Sequence, residues 1–172
     1  DYYRIISGKT AGPFEAGCEA AALVANADEQ RAAILGTFGL ELGLAFQIVD
    51  DLLDLEGDER MGKPRGTDVI EGKMTLPLIH SLTMSHGESR RRLSEVIDSF
   101  HEGLWGELTD LLNATGSLDY ARTLVDNHLA RALDALLEIQ QCPLSIQRLF
   151  PDANITYSET LPQFGEEGTD EA

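Results

Sequence analysis

At 172 residues the chain is long enough for one domain with a real core, and 42% hydrophobic with 25% charged residues is ordinary for a globular protein. Its charge is not ordinary: 30 acidic against 13 basic side chains give −17, a surface that repels nucleic acid and anionic lipid headgroups and so excludes both as partners. It also repels a phosphorylated substrate, unless metal ions and a few placed lysines mediate the contact.

In chain order, residues 1–11 read as the end of a helix broken by Gly12-Pro13. A start inside helical sequence, with no Met, predicts that a further N-terminal part of a larger protein precedes Asp1. Phe14 to Val24 is Ala-rich and helical, and Asn26 to Asp28 offers N-cap chemistry. From Glu29 to about Leu55 apolar residues recur at helical spacing: Ile34, Leu35, Phe38, Leu42, Ala45, Phe46, Val49, Leu52 and Leu53. Gly36, Gly39 and Gly43 share one side of that helix, where close packing against another helix is the expected use and ligand access the alternative.

Glu56 to Gly72 reads as a loop, punctuated by Gly57, Gly62, Pro64 and Gly66. Thr75 is placed to N-cap a helix with Pro77 in its first turn, running to about Ser85. Further helices are expected over about Glu88–His101, where Arg90 to Arg92 is a solvated face, and about Gly106–Asn113. Ser117 is expected to cap a long helix with the stripe Leu118, Ala121, Val125, Leu129, Ala132, Leu136 and Ile139, ending before Pro143. Ser145 to Phe150 would add a short turn, closing a helical unit over 1–150, and 151–172 reads as an acidic, disordered tail. No segment alternates at period two, so the fold class is all-α with about seven helices.

Cys18 and Cys142 lack metal-ligand spacing and read as core cysteines of a reducing, cytoplasmic compartment. The four histidines form no zinc-type pair, and no apolar run approaches roughly 20 residues without polar interruption, so no transmembrane span is expected.

One stretch carries most of the chemistry: Phe46-Gln47-Ile48-Val49-Asp50-Asp51-Leu52-Leu53-Asp54. Its carboxylates at i, i+1 and i+4 share an arc of roughly 100° on a helix. No Lys or Arg lies between Arg31 and Arg60 to offset them. A hard cation such as Mg²⁺, held by one or two carboxylates with phosphate oxygens and water, would relieve the crowding. A solvated acidic helix end is the plainer alternative. Gln47 projects from the same side as Asp50, and Lys9-Thr10 offers an ammonium and a hydroxyl at a helix end. Lys63 and Lys73 sit in the Gly-rich loop and could be solubility charges. Taken together, three lysines flanking an acid cluster suit a metal-bridged diphosphate.

Those residues resemble the trans-prenyl diphosphate synthases. Phe46 to Asp54 is similar to that family's second aspartate-rich motif, and Ile6-Ser7-Gly8-Lys9-Thr10-Ala11 to its KTA segment. The run Gly57-Asp58…Gly62-Lys63-Pro64…Gly66-Thr67-Asp68…Glu71-Gly72-Lys73-Met74-Thr75-Leu76-Pro77 is similar to the loop that follows. The resemblance implies an isoprenoid-synthase helical bundle, condensing an allylic prenyl diphosphate with isopentenyl diphosphate with the help of three Mg²⁺ ions. It implies that Asp50 ligates Mg²⁺ directly, with Asp51 and Asp54 assisting directly or through water. Lys9, Lys63 and Lys73 would hold the allylic diphosphate, while Thr10 and Gln47 stabilise the developing cation. A homodimer is implied for the intact protein. The first aspartate-rich motif and the isopentenyl diphosphate segment do not occur in this chain, so it resembles a C-terminal portion, inactive alone. A non-catalytic subunit of a heteromeric synthase and a class I terpene cyclase are the alternatives.

Overall fold

Residues 2–24 run as one helical rod in the computed structural model, which describes residues 1–56 and 65–141. Helix α1 (Tyr2–Ile6) passes through a π-helical turn, Ser7–Ala11, into α2 (Gly12–Val24). The break expected at Gly12-Pro13 does not occur. The Gly12 N–H reaches back five residues to the Ser7 carbonyl, so the ladder has already shifted where Pro13 lacks a donor. A Cβ at Gly12 would lie 2.9 Å from that carbonyl oxygen, which only glycine avoids.

Helix α2 closes on Asn26 in the left-handed region (φ 61°), with Ala27 N–H donating to Ala22 and Asn26 N–H to Leu23, both at 3.0 Å. Asp28 then caps α3 (Glu29–Glu56) by accepting the Arg31 N–H at 2.9 Å. This is the central helix, packed most extensively on α2 and α8. Its glycines divide. A Cβ on Gly39 would lie 2.5 Å from the Phe14 carbonyl oxygen, and one on Gly43 2.6 Å from Ala11 Cα, whereas one on Gly36 would make ordinary contacts at 3.6 Å. Close helix packing therefore explains two of the three.

By length and composition alone α3, with 28 residues and a mean hydropathy of 1.7 over 18 of them, is apolar enough to cross a membrane. Helix packing accounts for much of that apolar surface, since Leu44, Ala45, Ile48, Leu52 and Leu55 are buried. Phe46, Val49 and Leu53, however, form an exposed stripe.

A short helix, α4 (Thr67–Ile70), lies within the expected loop. It is followed by α5 (Leu76–Met84), α6 (Gly87–Asp98), a 3₁₀ turn at Glu102–Leu104, α7 (Trp105–Ala114) and α8 (Ser117–Gln141). Counting the first rod once, seven α-helical rods and no strand are present among the described residues. Lys63, Cys142, the turn expected at 145–150 and the tail 151–172 lie outside those residues.

Three apolar clusters hold the bundle. One joins Ile6, Ala11, Leu44, Ile48, Leu52, Leu76, Ala121 and Val125; a second joins Leu55, Val69, Leu78, Leu93, Val96, Leu108 and Leu112; a smaller third joins Ile34, Ala135 and Ile139. Fully burying a side chain such as Ile48 or Leu78 contributes about 1.5–3 kcal/mol.

Two expectations for α8 are corrected. Ser117 opens the helix, but its hydroxyl bonds His80 Nδ1 (2.9 Å) and Thr115 Oγ1 (2.6 Å) rather than capping. The buried stripe runs through His128 (4% exposed), while Leu129 is 39% exposed. His128 turns inward because Glu41 of α3 waits there, 2.6 Å from Nδ1.

Candidate active site

The three aspartates of the signature stretch occupy different environments. Asp50 is exposed, Asp51 is buried and Asp54 half-buried. Tyr2 donates its hydroxyl to Asp51 Oδ2 at 2.6 Å, and Gln47 donates Nε2–H to Asp51 Oδ1 at 3.0 Å. The Leu76 N–H, at the start of α5, bonds the same carboxylate. Asp51 therefore does the capping expected of Thr75, whose hydroxyl is buried without a partner. Asp54 behaves similarly toward α4, accepting N–H bonds from Thr67 and from Asp68 (3.1 Å), while its own carbonyl takes the Gly66 N–H at 2.7 Å.

Burial pushes the Asp51 carboxyl above the usual carboxylate range, with the Tyr2, Gln47 and Leu76 donors opposing the shift. Burial also raises Asp54, against its two backbone donors. The Tyr2 phenol is pushed well up by burial and then by the adjacent Asp51.

The Lys-Thr segment forms the π-helical turn, a feature that recurs at functional sites. Thr10 Oγ1–H donates to Gln47 Oε1 at 2.7 Å, so this turn is bound to α3 beside the aspartates. Gln47 Nε2 also lies 3.4 Å from Asp50 Oδ2. The Lys9 side chain is exposed and makes no hydrogen bond or ion pair to another described residue. Lys73 differs: its Nζ lies 2.7 Å from both Asp68 Oδ1 and Glu71 Oε2, which hold its ammonium charged.

Thus Thr10, Gln47, Asp50 and Asp51 are brought together with Lys9 on the same turn, and Asp54 and Lys73 are held at the adjoining start of α4–α5. The three aspartates do not surround one point; among the described residues no group of three or more His, Cys, Asp or Glu could hold a metal ion. The donor set nevertheless fits the sparse mode of Mg²⁺ binding, in which one or two carboxylates are completed by phosphate oxygens and water. Asp50 is the exposed carboxylate available for it. Tyr2 was not legible as a site residue: its partner is 49 residues away, and nothing in its spacing announces the contact.

An all-α bundle with an aspartate-rich helix end beside a lysine-bearing turn defines the isoprenoid-synthase class of fold. This chain belongs to the Polyprenyl synthetase family, whose sequence profile matches residues 1–111. It is 34% identical over 142 residues to the short chain isoprenyl diphosphate synthase of Methanothermobacter thermautotrophicus, covering 82% of this chain and 44% of that protein. With the octaprenyl diphosphate synthase of Haemophilus influenzae it shares 35% identity over 162 residues, covering 90% and 49%. Among solved structures, a polyprenyl synthase from Caulobacter crescentus, complexed with calcium and isoprenyl diphosphate, matches with a TM-score of 0.74 and 36% identity, covering 80% of this chain and 43% of that one. The chain thus spans less than half the length of these relatives.

Proposed function

We propose that the whole protein is a Mg²⁺-dependent prenyltransferase that condenses an allylic prenyl diphosphate with isopentenyl diphosphate, and that this chain supplies one part of its site. One juxtaposition carries the reading: the exposed Asp50 carboxylate, the Thr10–Gln47 dipole pair and the Lys9 turn meet beside the exposed apolar stripe Phe46, Val49 and Leu53. A charged head and a hydrocarbon tail are the two halves of a prenyl diphosphate.

In this reading Asp50 holds Mg²⁺, which when bound supplies positive charge to the diphosphate leaving group. Lys9, Lys63 and Lys73 bind diphosphate oxygens as point charges; Lys73 exchanges Asp68 and Glu71 for phosphate. The Gln47 carbonyl and the Thr10 oxygen face the allylic carbon as its positive charge develops, a transition-state interaction. The apolar stripe lies along the prenyl chain and keeps water from the carbocation.

The test is turnover of farnesyl diphosphate with labelled isopentenyl diphosphate and Mg²⁺. The intact protein is expected to elongate and the 172-residue chain to be inactive. Asp50→Asn in the intact protein is expected to lower kcat by about a hundredfold or more. Unchanged turnover in that variant, or full activity of the chain alone, overturns the reading.

A further inference from the structure

Asp50 and Asp51 are adjacent in sequence and belong to different chemistries. A carboxylate has about four lone-pair sites. Asp51 receives three donors from three separate elements: the Tyr2 hydroxyl of α1, the Gln47 amide of α3 and the Leu76 N–H of α5. It is only 4% exposed. Three of those sites are taken and the carboxylate is sealed from solvent, so a metal ion would have to open the packing that holds α1 and α5 against α3.

The same contacts determine which way the Gln47 amide points. Its Nε2–H₂ faces two carboxylates, Asp51 at 3.0 Å and Asp50 at 3.4 Å, which leaves Oε1 to accept from Thr10 at 2.7 Å. The reversed amide would set an oxygen against carboxylate oxygens and forfeit the bond to Asp51, while Thr10 Oγ1 would have to accept instead of donate. That is a repulsion plus a lost hydrogen bond. The direction of the Gln47 carbonyl dipole thus depends on Asp51, and Asp51 depends on Tyr2.

We propose that Asp51 is a positioning residue and not a metal ligand: with Tyr2 behind it, it fixes the Gln47 carbonyl toward Thr10 and fastens the first turn of α5 to the aspartate-rich helix. The structural part of this proposal stands on the hydrogen bonds alone; the catalytic use of the Gln47 carbonyl rests on the prenyltransferase reading.

The test uses the full 172-residue chain and two probes, nuclear magnetic resonance and Mn²⁺ with inorganic pyrophosphate. In Asp51→Ala, hydrogen exchange at the Leu76 amide is expected to rise about tenfold or more, as an amide that loses its acceptor should. The Gln47 side-chain amide resonances are expected to shift in Asp51→Ala and in Tyr2→Phe. Paramagnetic broadening by Mn²⁺–pyrophosphate is expected to stay within about threefold of wild type in both, and to weaken about tenfold or more in Asp50→Asn. Unmoved Leu76 exchange and Gln47 resonances in Asp51→Ala overturn the proposal, as does a loss of Mn²⁺–pyrophosphate affinity equal to that of Asp50→Asn. If Asp51→Ala does not fold, Tyr2→Phe decides, because it keeps the carboxylate: an undisturbed Gln47 signal overturns the proposal. Should the wild-type chain take up no Mn²⁺–pyrophosphate, the enzyme reading loses its support, while the Leu76 and Gln47 measurements still judge Asp51.

Discussion

Helix α3 turns two carboxylates into the protein, ten residues apart, and satisfies them in opposite ways. Glu41 meets bases: His128 Nδ1 lies 2.6 Å from its Oε2 and Arg131 Nε 2.9 Å, with the Tyr3 hydroxyl 3.1 Å from His128 Nε2. Asp51 meets only neutral donors, from Tyr2, Gln47 and Leu76. The Glu41 seam is charge-compensated and joins α3 to α8; it needs nothing from outside. The Asp51 seam sits beside Asp50 and Asp54, with no base within its own hydrogen-bond network. Asp50, Asp51 and Asp54 therefore leave negative charge without a base at the end of the helix that carries the candidate site.

Removing the two acids tests that contrast. Asp51→Ala strands three donors in a buried place and is expected to destabilise the chain by about 3 kcal/mol, against about 2 kcal/mol for Glu41→Ala, whose partner Arg131 can return to water. Asp50→Ala is expected to change stability by less than about 0.5 kcal/mol, since surface substitutions usually do little. Urea denaturation followed by circular dichroism measures all three. A larger loss at Glu41 than at Asp51 would break the contrast.

Around the Glu41 seam α3 is pinned to the first rod by Gly39 and Gly43, which offers a sharper local comparison. Gly39→Ala would force a methyl against the Phe14 carbonyl and is expected to cost about 2 kcal/mol. Gly36→Ala meets only ordinary contacts and is expected to stabilise by up to about 1 kcal/mol through helix propensity. Opposite signs in one denaturation series are the expected result. Equal losses would mean that all three glycines serve packing.

Replacing partners jointly probes the same difference at smaller scale. Glu41→Leu with His128→Leu removes an acid and its buried base together, so the double variant is expected to recover about 1 kcal/mol relative to the sum of the singles. Asp51→Leu with Tyr2→Phe leaves Gln47 and Leu76 without an acceptor, and less recovery is expected. A double-mutant cycle for each pair gives the coupling. Equal recoveries would erase the distinction between a charge-compensated seam and a dipolar one.

What the sequence made legible follows from how local each signal is. The bounds of α3, α5 and α7 fall within about a residue or two of expectation, because caps, Gly and Pro act on their own turns. Asp50 stands out in sequence because three acids crowd one helix arc without a cation. The burial of Asp51 and its partners were not legible, since they depend on Tyr2 and Leu76, which come from other parts of the chain. The π-helical turn Ser7–Ala11 that leads unbroken into Gly12-Pro13 was hidden because proline usually signals a break. Reading Leu129 as buried instead of His128 followed apolarity, although 121, 125, 128, 132, 135 and 139 keep alternating steps of four and three. Lys73 looked free because its partners Asp68 and Glu71 are brought to it by the backbone around Gly72 (φ 72°).

The smallest effect expected concerns an exposed counterpart of the Glu41 seam. Glu107 of α7 accepts two bonds from the Arg92 guanidinium of α6, Nε to Oε1 at 2.6 Å and Nη2 to Oε2 at 2.8 Å. Those bonds hold the Glu107 carboxyl below the usual carboxylate range. A carboxyl lowered on folding stabilises the folded state above its unfolded value, and that stabilisation is lost as pH falls through the folded value. The melting temperature of Glu107→Gln is therefore expected to lie slightly below that of wild type at pH 7, with the gap closing as the pH drops through the acid range. Because the pair faces water, 1 M salt is expected to shrink the gap at pH 7 as well, screening charges beyond about 3 Å. The gap between Glu41→Gln and wild type should respond far less to salt, since Glu41 and His128 are shielded by α3 and α8. An equal salt response at Glu41 and Glu107 would show that the inner seam is as open to solvent as the outer pair, and the contrast between the two carboxylates of α3 would lose its physical basis.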